Sequence, residues 1–134
     1  MSKKVLVVDD NSTIRDLVSF TLQLDGYETI TAVDGLDGLA KLDEIAGADL
    51  ALIITDIVMP KMDGFGLIKQ IRKHKIFHKL PILVLTARGL EEDEHTAKHT
   101  GANGFIRKPF EPGELLDEVR KLLIPSANPG QVQT

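Results

Sequence analysis

The sequence predicts an α/β domain in which five helices cover both faces of a doubly wound sheet of five parallel strands. Short apolar runs that do not alternate with polar residues are typical of strands buried on both faces, and segments with helical periodicity lie between them. The length of 134 residues is close to the commonest size of one domain. Strict alternation of strand and helix over this length favours right-handed crossovers in a single sheet.

The strands are predicted from their apolar composition and from the polar or turn-forming residues that bound them. Three clear runs span residues 5–8, 50–54 and 82–85. Two weaker candidates span residues 28–31 and 103–107. In chain order, each of these five segments is followed by a predicted helix.

Four predicted helices carry an apolar stripe at helical spacing, which is expected to pack on the sheet. The stripes consist of Ile14, Leu17, Val18, Thr21 and Leu22; Leu36, Leu39 and Ala40; Leu67, Ile68 and Ile71; and Leu115, Leu116, Val119, Leu122 and Leu123. The remaining helix, residues 90–99, has only Leu90 and Ala97 as apolar members. Its acidic first turn suits a helix N-terminus, but so little apolar surface predicts a weakly docked helix.

Composition limits the function and the location of the domain. The net charge of −4 and the pI near 5.5 argue against a protein that binds nucleic acid by neutralising phosphates. The absence of cysteine excludes disulfides, thiolate metal sites and cysteine nucleophiles. The longest apolar run, residues 50–54, is far shorter than the ~20 residues of a membrane helix. We therefore expect a cytoplasmic domain at residues 1–124, without membrane insertion, and a flexible tail at 125–134.

Polar side chains stand where the predicted strands end. The five residues are Asp9 and Asp10 after the first strand, Asp56 after the third, Thr86 at the end of the fourth and Lys108 after the fifth. Ligands of open α/β sheets collect at this edge, so these groups are expected to converge. Each residue alone has an ordinary structural interpretation, such as helix capping. Capping explains neither Asp56 nor Lys108, so the joint pattern favours a functional site.

A cluster of three carboxylates requires a cation. Two carboxylates ~4 Å apart repel each other by about 4 kcal/mol at an effective dielectric constant of ~20. Hard oxygen ligands without a nearby histidine or cysteine favour Mg²⁺, and one lysine offsets only part of the charge. A carboxylate can also act as a nucleophile and form an aspartyl phosphate. A metal and a lysine together supply the charge neutralisation that phosphoryl transfer needs.

Four segments, 5–10, 55–64, 85–87 and 106–110, resemble the response-regulator receiver domain. The resemblance extends over residues 3–124, and the four motifs follow one another in order at the ends of four strands. It implies the flavodoxin-like (CheY-like) architecture with the strand order 2-1-3-4-5. It also implies a response regulator of two-component signal transduction.

The resemblance implies a role for each acidic residue of the site. Asp56 is the expected phosphoacceptor. Mg²⁺ is expected to be held by Asp56 together with Asp9, Asp10 and the backbone carbonyl of Val58. Such a domain is not an enzyme in the ordinary sense, but a phosphoacceptor that catalyses its own phosphorylation and dephosphorylation.

The resemblance also implies the phosphoryl ligands and the switch. The Thr86 hydroxyl and the Lys108 ammonium are expected to bind the phosphoryl group, and the Lys108–Pro109 peptide bond is expected to be cis. Thr86 and Phe105 are the expected switch residues. Phe105 lacks the hydroxyl of the tyrosine that is frequent at this position.

The function implied by the resemblance is a phosphorylation-dependent switch. A sensor histidine kinase or a histidine phosphotransfer protein is the expected donor. The changed face of helix 4, strand 5 and helix 5 is expected to bind a target protein, namely a motor, a phosphatase or a relay component. Since no second domain follows in the sequence, output is expected to run through protein contact, as in single-domain regulators of chemotaxis or motility. We also expect a monomer.

Three alternatives accompany this interpretation. The first is an intermediate phosphorelay carrier that passes its phosphoryl group to a histidine phosphotransfer protein. The second is a flavodoxin-like FMN electron carrier, which the acidic pair Asp9–Asp10 disfavours because it would repel the FMN phosphate. The third is a receiver-shaped interaction module that is never phosphorylated, which the complete set of Asp56, Thr86 and Lys108 disfavours.

Overall fold

The computed structural model describes residues 3–45, 50–88 and 90–123, in which strands and helices alternate strictly. The strands are β1 (Lys4–Val8), β2 (Glu28–Ala32), β3 (Leu50–Thr55), β4 (Ile82–Thr86) and β5 (Gly104–Arg107). The helices are α1 (Ser12–Leu24), α2 (Gly35–Ile45), α3 (Gly64–Arg72), α4 (Glu91–Thr100) and α5 (Pro112–Leu123). The predicted tail at 125–134 lies outside the described residues.

The strands form one parallel sheet in the order β2-β1-β3-β4-β5. This confirms the predicted fold class and strand order. The register places Val8 of β1 beside Thr55 of β3, and Thr55 beside Val84 of β4. The residues that follow β1 and β3 therefore emerge next to each other at the carboxyl edge of the sheet.

Apolar side chains fill both faces of the sheet, which is why the central strands lack polar alternation. Leu6 and Val8 of β1 belong to the core that α2, α3 and α4 cover. Val5 and Val7, which point to the opposite face, belong to the core under α1 and α5. The edge at the strand ends is left to polar residues.

Helix α1 departs from its predicted apolar stripe. Val18 and Leu22 are fully buried, as expected, but Leu17 is 40% exposed. One helix in a single layer can bury only one face, and Leu17 lies about 100° around the axis from Val18. Leu17 shares the outer side of α1 with Phe20 and Leu24, which are 61% and 74% exposed.

Helix α4 has as little apolar contact as the sequence indicates. Its buried residues are Ala97 and, unexpectedly, Asp93. A charged side chain thus replaces the usual apolar anchor at the start of this helix. No helix in the described ranges is long and apolar enough to cross a membrane.

Candidate functional site

Asp9 is fixed by the turn that leads from β1 into α1. Its side chain is buried, and its Oδ1 accepts a hydrogen bond from the Asn11 N–H at 2.9 Å. Arg15 Nη1 donates to the Asp9 carbonyl at 2.7 Å. Asn11 itself caps α1, since its Oδ1 accepts from the Ile14 N–H at 3.1 Å. Capping therefore falls to Asn11, and the two preceding aspartates remain available to the site.

Asp56 follows β3 and is held by its own loop. Its side chain is buried, and Oδ1 accepts hydrogen bonds from the Ile57 N–H at 2.6 Å and the Val58 N–H at 3.4 Å. Oδ2 accepts from Lys108 Nζ at 3.1 Å. The same ammonium donates to Asp9 Oδ2 at 2.8 Å. Lys108 thus joins the ends of β1, β3 and β5 at one point.

Asp10 completes a cluster of carboxylates. One oxygen each of Asp9, Asp10 and Asp56 lies within 4.8 Å of the others. At that separation the buried Asp9–Asp56 pair repels by about 3.5 kcal/mol at an effective dielectric constant of ~20, and each pair that includes the exposed Asp10 repels by about 0.9 kcal/mol at the dielectric constant of water. Within the described residues the exposed Asp10 carboxylate has no hydrogen-bond or ion-pair partner that relieves this repulsion. All the ligand atoms of this cluster are carboxylate oxygens, which are the hard ligands that Mg²⁺ prefers.

Burial and charge shift the pKa values of the central pair. Burial raises the pKa of Asp9 above its ordinary value, and the hydrogen bond from Lys108 counteracts this only in part. Burial alone would lower the pKa of Lys108, but the hydrogen bond to Asp9 and the charge of Asp56 outweigh it, so that the pKa is raised. Lys108 therefore stays cationic, while Asp9 lacks a partner strong enough to offset its desolvation.

The expected phosphoryl ligand and switch residues lie at the ends of β4 and β5. Thr86, the last residue of β4, is buried, and its Oγ1 accepts a hydrogen bond from the Arg88 N–H at 3.2 Å. Phe105 in β5 is half-buried and packs against the core below α4. Val58 has an exposed side chain, which leaves only its backbone to serve the site. The Lys108–Pro109 peptide bond is cis.

Gly64 is a site requirement that the sequence interpretation did not identify. Its N–H donates to the Ile57 carbonyl at 2.8 Å, which folds the start of α3 onto the loop after β3. A Cβ at this position would overlap the Asp56 carbonyl oxygen and lie 2.8 Å from the Cα of Ile57. An Asp-Gly pair before an apolar helix is a sequence signal for this tight helix start. In the structure Asp63 is the N-cap of α3, and its Oδ1 accepts a hydrogen bond from the Gly66 N–H at 2.8 Å.

Comparison with known proteins identifies the family. The profile of the response regulator receiver domain matches residues 5–120. The chain belongs to this family. The chain is 41% identical over 123 residues to the alkaline phosphatase synthesis transcriptional regulatory protein PhoP of Bacillus subtilis. The aligned region covers 92% of this chain and 49% of that protein. The chain spans about half the length of the curated transcriptional regulators it matches.

Solved structures agree with the fold. The chemotaxis response regulator CheY4 of Vibrio cholerae superposes with a TM-score of 0.85 at 41% identity, covering 92% of this chain and 100% of that one. CheY in the CheX-CheY-BeF3-Mg+2 complex of Borrelia burgdorferi has a TM-score of 0.85 at 26% identity, covering 91% and 90%. Relatives thus include chemotaxis proteins and transcriptional regulators alike. Receiver domains bind Mg²⁺ at an acidic pocket and interact with histidine kinases and downstream targets. This chain has a cluster of three carboxylates at the carboxyl edge of its sheet.

Proposed function

We propose that this receiver domain accepts a phosphoryl group on Asp56 and thereby switches a protein-binding face. The observation that carries the proposal is the position of Lys108 Nζ, 2.8 Å from Asp9 and 3.1 Å from Asp56. One fixed cation beside a buried carboxylate, with two further carboxylates within 4.8 Å, provides both a nucleophile and the means to neutralise an incoming phosphoryl group.

Asp9, Asp10, Asp56 and the carbonyl of Val58 would hold Mg²⁺. When bound, the ion supplies positive charge opposite the transferring phosphoryl oxygens. The Asp56 carboxylate attacks the phosphorus atom of a phosphohistidine in a sensor kinase or a histidine phosphotransfer protein. A P–O bond forms and the P–N bond breaks; the imidazole nitrogen keeps the electron pair and takes up a proton from solvent. Lys108 enters the reaction as a cation, because its contacts with Asp9 and Asp56 outweigh burial and raise its pKa.

Phosphorylation acts on the face formed by α4, β5 and α5. The new group brings about −1.5 to −2 charges and three acceptor oxygens to the strand ends. The Thr86 hydroxyl turns toward them, and Phe105 moves inward into the space beside β5. The changed face then binds a target protein such as a motor component, a phosphatase or a relay component. Support for a target of the chemotaxis type comes from the similarity to CheY4, which covers that whole chain.

The proposal is tested by incubating the protein with acetyl phosphate and Mg²⁺ and measuring its intact mass. We expect one added phosphoryl group, lost when EDTA replaces Mg²⁺ and lost in Asp56→Asn. Asp16→Asn, which removes an exposed carboxylate of α1, is the matched control and should be labelled like the parent. Undiminished labelling of Asp56→Asn would refute the assignment.

A phosphorelay carrier uses the same chemistry but a different acceptor. The two roles are distinguished by adding a histidine phosphotransfer protein to the phosphorylated domain. Rapid return of the phosphoryl group to histidine favours the relay role, and stable retention with capture of a separate target favours the switch role.

A further inference from the structure

The two ends of α4 are attached to the fold in different ways. At its start, Arg88 in the β4–α4 loop forms a bidentate ion pair with Asp93 in the first turn of the helix. Arg88 Nε donates to Asp93 Oδ2 and Arg88 Nη2 donates to Asp93 Oδ1, both at 3.1 Å. Asp93 is only 3% exposed, whereas the Arg88 side chain is 53% exposed. Among the described residues of α4 only Asp93 and Ala97 are buried, so Asp93 is the one buried side chain of the first turn.

The C-terminal end of α4 is held by Arg72 of α3. Arg72 Nη2 and Nε donate to the Gly101 carbonyl, which follows the helix, at 2.6 and 3.1 Å. The same guanidinium donates to the Leu80 carbonyl at 2.7 Å and to Asn103 Oδ1 at 2.9 Å. These bonds tie the end of α4 to the segments that flank β4 and β5, so this end has several independent attachments.

Arg88 also touches the expected phosphoryl ligand. Its backbone N–H donates to Thr86 Oγ1 at 3.2 Å, so one residue contacts both the hydroxyl and, through its side chain, the start of α4. If phosphorylation moves the hydroxyl toward a phosphoryl group, this hydrogen bond must lengthen unless the Arg88 backbone follows. The guanidinium is anchored on a buried carboxylate and resists that movement.

We propose that the Arg88–Asp93 ion pair is a latch that holds Thr86 and the start of α4 in the unphosphorylated arrangement. The proposal rests on the function proposed above and names its regulation. Phosphorylation releases the latch, and α4 pivots about the end that Arg72 holds. A contact made in only one of two states biases the equilibrium toward that state, so removing the latch favours the phosphorylated arrangement.

The test measures how tightly each variant binds beryllofluoride in the presence of Mg²⁺, by amide NMR. Asp93→Asn is the primary variant, because it removes the charge and keeps the shape; Arg88→Ala removes the other partner. We expect each to bind beryllofluoride about three- to tenfold more tightly than the parent, with no further gain in the double variant. Lys98→Gln, which breaks the exposed Lys98–Glu94 ion pair of the same helix, should bind like the parent.

Hydrogen exchange of the protein without phosphoryl analogue gives a second readout. In Asp93→Asn, the hydrogen-bonded amides of residues 93 and 94 should exchange faster, while those in residues 98–101 stay as in the parent. A parent that binds beryllofluoride with the same affinity as Asp93→Asn, or uniform exchange along α4 in the variant, overturns the latch alone. A parent that does not bind beryllofluoride overturns the phosphoacceptor function and the latch with it.

Discussion

Replacing Asp10 by asparagine should raise the free energy of unfolding of the metal-free domain and reduce the stabilisation by Mg²⁺. Asp10 contributes repulsion to a cluster whose oxygens lie within 4.8 Å of one another, and Lys108 contacts only the other two members. Because Asp10 is exposed, the dielectric constant of water is the appropriate one, and each of its two pairs repels by about 0.9 kcal/mol.

Asp10→Asn should therefore raise the free energy of unfolding without Mg²⁺ by about 1–2 kcal/mol. For a domain of this size that gain corresponds to a rise in Tm of about 4–8 °C. In the parent, a site with a dissociation constant of about 1 mM would contribute about 1.4 kcal/mol at about 10 mM Mg²⁺. The variant lacks one ligand, and most of that contribution should disappear.

Thermal unfolding followed by far-UV circular dichroism, with EDTA and with Mg²⁺, measures both effects. Asp16→Asn changes the net charge by the same amount on an exposed part of α1 and should leave both Tm values near those of the parent. If Asp10→Asn is no more stable than the parent in EDTA, or if Mg²⁺ leaves the parent unchanged, the electrostatic account of the cluster is wrong.

Three further predictions concern Lys108, Thr86 and Gly64. The pKa of Lys108 is raised above its ordinary value of 10.5, so the charged ammonium stabilises the fold fully below pH 10.5. This stabilisation is lost as the pH rises through the pKa of the folded state. In that pH range the urea unfolding curve of the parent should approach that of Lys108→Met. Thr86→Ala should still accept a phosphoryl group but lose most of the NMR shifts in residues 91–110, whereas Thr86→Ser should keep them. Gly64→Ala should lower the free energy of unfolding by at least about 2 kcal/mol, because the new Cβ overlaps the Asp56 backbone. Gly113→Ala is the control: its new Cβ meets no atom within 4 Å, so the free energy of unfolding should rise by about 0.5–1 kcal/mol. Equal effects of the two glycine substitutions would contradict the packing argument.

The sheet could be predicted because its strands carry a direct signal. β1, β3 and β4 are buried on both faces, so their sequences are apolar without alternation, and the predicted ends agree with the structure within one residue. The polar residues that follow them had to meet, because parallel strands end at one edge. The same logic placed Asp9, Asp56 and Lys108 together, and the structure brings them within hydrogen-bond distance.

Other features depend on contacts that periodicity does not encode. An acidic residue in the first turn of a helix is ordinarily a solvated partner of the helix dipole, and the sequence predicts this environment for Asp93. The side chain is instead buried and bonded to Arg88, five residues earlier, and no apolar pattern signals such a pair. Apolar spacing predicts Leu17 on the core side of α1, because spacing alone does not show which of two adjacent apolar faces meets the sheet.

Chemical mapping of the phosphoryl group tests directly whether Asp56 is the phosphoacceptor. The domain is incubated with acetyl phosphate and Mg²⁺, the acyl phosphate is reduced with borohydride, which converts a phosphorylated aspartate to homoserine, and the peptides are sequenced by mass spectrometry. We expect homoserine at position 56 alone, formed only with Mg²⁺. Homoserine at position 9 or 10, or a label that resists reduction and maps to a histidine, would contradict it.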